Sequence, residues 1–155
     1  MALLQRALVA GLVVGIIMWY LAGVGLVGAF ADREVVTGYL SLGRLMLLAP
    51  LMIGGYAVAR QAGSVGRRLT IGAAAGGMGG TFFAVGILVV LALSPGIREV
   101  FIRINDDLME FLLFGLDPVP GALLNVALGI GLGLLGASLP VVPPIVRRGL
   151  LAGLG

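Results

Sequence analysis

The side chains on which most protein chemistry relies are missing from this sequence: there is no histidine and no cysteine, and all ten basic residues are arginine. Without imidazole or thiolate the usual zinc, haem and iron–sulfur ligand sets cannot be assembled, nor can Cys nucleophiles or Ser–His pairs. Schiff-base and P-loop chemistry fail for want of a lysine. Seven carboxylates remain, almost all in segments between apolar runs, so the pattern gives no support to a metal site built from them. The expectation is a protein that is not an enzyme and needs no cofactor or metal.

Two kinds of residue still stand out by type and spacing. Arg44 is the one formal charge inside an otherwise apolar stretch. A charge deep in hydrocarbon costs several kcal/mol or more, which makes such a residue either a snorkelling side chain or part of a substrate or ion path. It lies about 8 Å from the outer end of its stretch at ~1.5 Å per residue, so reaching outward to Asp32 or Glu34 is the simpler reading. The glycines are the second kind. Gly11 and Gly15, then Gly72, Gly76 and Gly80, then Gly129 and Gly133 all follow small-xxx-small spacing, which lets helix backbones approach closely in lipid. They fit packing within one unit, or an interface with another subunit. None follows a strand, so a phosphate or dinucleotide loop is not the reading.

The elements that must carry these residues follow from composition. A chain of 155 residues that is 60% hydrophobic and 11% charged cannot hide its apolar surface in one water-soluble core, and it reads as an all-α integral membrane protein. Four apolar stretches are long enough to cross about 30 Å of hydrocarbon as helices: Ala7 to Phe30, Tyr39 to Ala59, Ile71 to Leu93, and Ala122 to Val142. They lack the alternation of barrel strands. Pro50 should kink the second, and "GGY" follows it at Gly54 to Tyr56.

Arginine placement sets the expected orientation, because short arginine-rich loops stay on the cytoplasmic side. The loop "RQAGSVGRRLT" carries Arg60, Arg67 and Arg68 and no acid. The loop "ADREVVTG" sets Arg33 between Asp32 and Glu34, and the third connection sets Arg98 and Arg103 among acids. With Arg6, Arg147 and Arg148 added, six arginines fall inside and three outside. The result is a multi-pass inner (plasma) membrane protein with both ends cytoplasmic. The same arginines explain the net charge of +3 without any nucleic-acid partner. A competing reading is a signal peptide cut at Ala31–Asp32, after "AFA". The apolar run exceeds a typical h-region of about 7 to 15 residues, which favours a retained helix.

The third connection has its own pattern. From Ile97 to Phe114, Ile97, Val100, Phe101, Ile104, Leu108, Phe111 and Leu112 recur at helical spacing, opposite Glu99, Arg103, Asp106 and Glu110. This predicts one amphipathic helix lying in the outer interface, starting after "SPG" with Ser94 as a potential cap and ending at Gly115 before the turn cluster "DPVPG". It would seal the ends of neighbouring helices, or serve as a docking surface for an extracytoplasmic partner.

A coarse echo runs through the chain. "REVV" at Arg33 and "REVF" at Arg98 follow the first and third stretches, and "RALVAGL", "RLTIGAA" and "RGLLAGL" each open an apolar run. Two similar halves would produce this, and so would ordinary membrane grammar. The order of "ADREVVTGYLSLGRLMLL", the arginine loop, the glycine-rich third stretch, "INDDLMEFLLFG" and "PPIVRRGLLAGLG" resembles the hydrophobic N-terminal region ahead of the transport core in some branched-chain amino acid ABC transporter permeases. That resemblance implies an importer with cytoplasmic ATPase subunits and an extracytoplasmic binding protein, in which this region supports assembly of a C-terminal permease core. The parts that define a permease, its substrate path and its coupling helix, are not recognisable, so no substrate-binding residue follows. The alternative is a free-standing small membrane subunit that stabilises a larger complex. The closing "RRGLLAGLG" repeats the grammar of a span's start after the prolines of "LPVVPP", and the expectation is the front part of a longer membrane protein.

Overall fold

The computed structural model describes residues 2–36, 40–93 and 105–141. Among these residues four helices are long and apolar enough to cross a membrane: α1 (Ala2–Gly23), α3 (Leu42–Ala59), α4 (Val65–Ala92) and α6 (Pro118–Ser138). Two short helices, α2 (Leu26–Ala29) and α5 (Asp106–Leu112), cover one end of the bundle, and a 3-10 turn at Leu139–Val141 closes α6. Ser94, the Glu99–Arg103 pair and Arg147–Arg148 lie outside the described residues.

The chain departs from the sequence expectation at several boundaries, each for a local reason. The first stretch starts at Ala2, so Arg6 sits inside the helix. It breaks before Phe30 because Gly25 takes a left-handed conformation at φ 76°, which a glycine adopts without penalty. Arg33 to Ser41 is not simply a loop. Glu34–Val36 (β1) pairs antiparallel with Leu40–Ser41 (β2), so a small hairpin accompanies the helices. The Arg33 carbonyl then accepts from Leu42 N–H at 2.7 Å and the Phe30 carbonyl from Gly43 N–H at 2.9 Å, feeding the chain into α3. Ser41 caps that helix by accepting from Arg44 N–H. Ser64 does the same for α4, which begins early enough to include Arg67 and Arg68.

Of the helix expected from Ile97 to Phe114, residues 97–104 lie outside the described residues, and the described part is helical only from Asp106 to Leu112. Asn105 is extended, and its Oδ1 accepts from Leu108 N–H at 2.9 Å, which makes it the cap of the seven-residue helix α5. Short polar side chains compete with the helical backbone in this way, and Asp106 and Asp107 suit the positive end that results. α5 is two-sided, with Asp106, Asp107 and Glu110 exposed, but its apolar side does not rest on a flat surface: Leu108, Met109, Leu112 and the following Leu113 are buried in the main core. "DPVPG" is likewise the start of α6 rather than a turn. Pro118 occupies the first position, where the missing N–H costs nothing.

α3 and α4 form the central pair, each packed on both α1 and α6, which lie on opposite sides. The core divides by residue size. Toward the α5 end it is built from Met18, Leu47, Leu51, Phe83 and Ile87, with Trp19 tilted against Phe83 at 5.2 Å. Toward the far end it narrows to Ala7, Val58, Ala62, Ile71 and Ala75.

Candidate functional site

The glycines form two seams on α4. Gly72, Gly76 and Gly80 face Gly129 and Gly133 of α6. A Cβ on Gly76 would lie 2.9 Å from the Gly133 Cα, and one on Gly80 would lie 2.6 Å from the Asn125 carbonyl oxygen. Any side chain there must separate the backbones, so contact at this distance depends on glycine. On another side of α4, Gly11 and Gly15 of α1 meet Ala75 and Gly79; a Cβ on Gly15 would come within 3.1 Å of the Gly79 carbonyl. Sequence reasoning missed Gly79, and it also missed the α3–α6 contact. Gly55 meets Gly133, and Gly136 meets the Met52 carbonyl and Tyr56 nitrogen. Gly133 therefore marks the point where α3, α4 and α6 converge.

Arg44 sits in the first turn of α3, two residues from its start and not part-way down it. A cation there opposes the positive end of the helix dipole, at a cost of roughly 0.3–1 kcal/mol. The offset comes from two aromatic rings. Its guanidinium carbon lies 5.2 Å from the Phe111 ring centroid and 5.2 Å from that of Phe114. Arg44 thus rests on rings and not on Asp32 or Glu34, although both acids line an open cleft of about 310 Å³ with Arg44, Ser41 and Phe111. A neighbouring cleft of about 270 Å³ brings Asp107 and Glu110 toward the same arginine, with Phe111 and Phe114 in its wall. The Arg44 Nε is buried and has no hydrogen-bond partner among the described residues.

The rings are held there by the way α5 ends. Gly115 N–H donates to the Glu110 carbonyl at 2.9 Å and Phe114 N–H to the Phe111 carbonyl at 3.1 Å, the paired bonds of a Schellman terminus. Phe114 occupies the left-handed position at φ 60°, where glycine is usual, and Gly115 follows at φ 71°. That strained backbone turns the Phe114 ring onto Arg44. Asn125, only 1% exposed, anchors the same corner: its Nδ2 donates to the Leu112 carbonyl and to the Gly121 carbonyl, each at 3.0 Å. Its Oδ1 has no hydrogen-bond partner among the described residues. Sequence reasoning passed over Asn125, although it is the lone amide in the fourth apolar stretch and that was the available signal.

The opposite end of the bundle gathers Arg6, Arg60, Arg67 and Arg68. Arg6 Nη1 donates to Gln61 Oε1 at 3.3 Å, and Arg68 Nε donates to the Ala62 carbonyl at 2.8 Å. The Arg60 guanidinium lies 5.6 Å from the Tyr56 ring. Chemically this end offers fixed positive charge and planar N–H donors, while the other end sets carboxylates beside Arg44. Among the described residues no group of three acids, histidines or cysteines could hold a metal. Compared with protein-family models, with curated proteins and with solved structures, the chain matches none.

Proposed function

We propose that the chain inserts into the plasma membrane with its arginine end in the cytoplasm, and acts as a non-conducting supporting unit of an ABC permease for branched-chain amino acids. The transport assignment comes from the sequence resemblance; the supporting role comes from the packing. The observation that carries it is the α4–α6 seam, where Gly76 and Gly129 bring two backbones into contact and close the centre of the bundle. Among the described residues, the buried polar ones are Ser41 and Asn125 only, in keeping with a closely packed, largely apolar centre. Outward faces carry Val9, Ile16 and Tyr20 on α1, Val85 and Val89 on α4, and Leu123 and Leu135 on α6, a surface suited to lipid or to neighbouring helices. The reading assigns the chain no reaction of its own. ATPase subunits and an extracytoplasmic binding protein enter only through the complete importer.

The test is uptake of labelled leucine, isoleucine and valine in cells lacking the gene, complemented with the wild-type chain or with Gly76→Leu. Restoration by the wild type and a severalfold deficit with Gly76→Leu are expected. Unchanged uptake together with loss of a larger complex on native gels would instead identify a free-standing stabilising subunit.

A further inference from the structure

At the end of the bundle formed by the start of α1, the end of α3 and the start of α4, four arginines stand without an acid among the described residues. They belong to one surface. Arg6 is tied to Gln61, next to Arg60, and Arg68 is tied to the Ala62 carbonyl two residues further on. Beneath them Ala7, Ala62 and Ile71 are packed together, so the loop and both helix starts are held in place. Arg6, Arg60 and Arg67 are exposed.

Beside Arg6, the outward side of α1 has a shallow recess of about 410 Å³ lined by Ala2, Gln5, Arg6, Val9 and Ala10. The same face continues with exposed Val13 and Ile16. From Ala2 to Val13 the helix rises roughly 16 Å, close to the depth of one leaflet's hydrocarbon. Charge and recess together point to one ligand. Guanidinium groups match phosphate oxygens with paired hydrogen bonds, and an apolar recess leading away from them accepts an acyl chain. An acidic protein surface would satisfy the arginines and leave the recess empty.

We propose that this end binds an anionic phospholipid, with its phosphate among Arg6, Arg60 and Arg67 and one acyl chain along Val9 and Val13. The proposal rests on the membrane placement proposed above and is independent of any transport role.

The full chain is purified in detergent and examined by native mass spectrometry with phosphatidylglycerol, with phosphatidylcholine of the same chains, and with glycerol phosphate. Selective retention of phosphatidylglycerol is expected, with glycerol phosphate not retained. Arg6→Gln and Arg67→Gln should each weaken retention about fivefold, as expected for loss of one arginine at a lipid surface. Val9→Trp, which fills the recess without changing charge, should weaken it as well, whereas Arg33→Gln at the opposite end should not. Equal retention of the two lipids, or an equal loss with Arg33→Gln, would overturn the proposal. So would phosphatidylglycerol-independent capture of an acidic protein that high salt releases. Sedimentation of each variant with membranes, measured before extraction, separates failed lipid selection from failed insertion.

Discussion

Arg44 occupies a position that local electrostatics disfavours, and it is held by two rings instead of a carboxylate. A cation on an aromatic face contributes about 0.5–1 kcal/mol when exposed and about 2 kcal/mol when desolvated, enough to outweigh the dipole penalty. Arginine stacks flat on a ring and lysine does not, so Arg44→Lys should be destabilising although it keeps the charge. A double-mutant cycle combining Arg44→Lys with Phe114→Leu, read by thermal unfolding in detergent, should give a coupling of about 0.5–2 kcal/mol. Strict additivity would show that the rings are mere neighbours. Arg44 itself was legible in the sequence, as the lone charge in an apolar stretch. Its partners were not, because Phe111 and Phe114 converge only through the left-handed turn at Phe114. Sequence signals assign that conformation to glycine, and Gly115 stood next in line.

The long helices were legible because continuous apolarity is a strong signal; their ends were not, because ends depend on single hydrogen bonds. Asn105 shows the difference: periodicity carries a helix through it, yet its extended backbone and one bond from Leu108 N–H make it the starting cap of α5. The glycine spacings likewise announced close packing without naming the opposing helix, and only the fold places Gly72, Gly76 and Gly80 against Gly129 and Gly133. On α6 this predicts opposite outcomes two residues apart. Gly129→Ala drives a methyl into the Gly76 and Gly80 backbone, and should cost several kcal/mol or prevent folding. Gly131 has nothing within 4 Å of an added Cβ, so Gly131→Ala should be neutral or stabilise by up to ~1 kcal/mol through helix propensity. Melting temperatures of the two variants decide it, and a shared sign would mean that the seam is not where packing is tight. For α5, Asn125→Ala removes the donor to the Leu112 carbonyl. Amide exchange across Leu108–Gly115 should then quicken roughly fivefold or more, with the centres of α4 and α6 unchanged. Uniform acceleration would make Asn125 a general core residue and not the anchor of α5.

At the scale of the molecule, the charges are sorted by end. Arg6, Arg60, Arg67 and Arg68 mark one end, while Asp32, Glu34, Asp106, Asp107, Glu110 and Asp117 mark the other, with Arg33 and Arg44 among them. Helix lengths fit the same axis. The 18 residues of α3 span roughly 27 Å, just short of the hydrocarbon, and the 28 residues of α4 span roughly 42 Å. In the membrane placement proposed above, the excess of α4 would be taken up by tilt or by its first turns, which carry Arg67 and Arg68, standing out of the apolar layer. Arginine-rich ends are retained on the cytoplasmic side, so the acidic end with α5 and the Arg44 clefts should face outward. These 155 residues contain no cysteine, so single cysteines introduced among them can report on this directly. Gly63 lies in the loop between α3 and α4 with open space around it, and Leu116, 45% exposed, lies between α5 and α6. In intact cells Leu116→Cys should react with a membrane-impermeant maleimide, and Gly63→Cys should react only after permeabilisation. The reverse pattern would invert the orientation and move the proposed lipid contact to the outer leaflet. Labelling of both sites in intact cells would be incompatible with an odd number of crossings between them, and α4 would then have to lie along the membrane instead of through it.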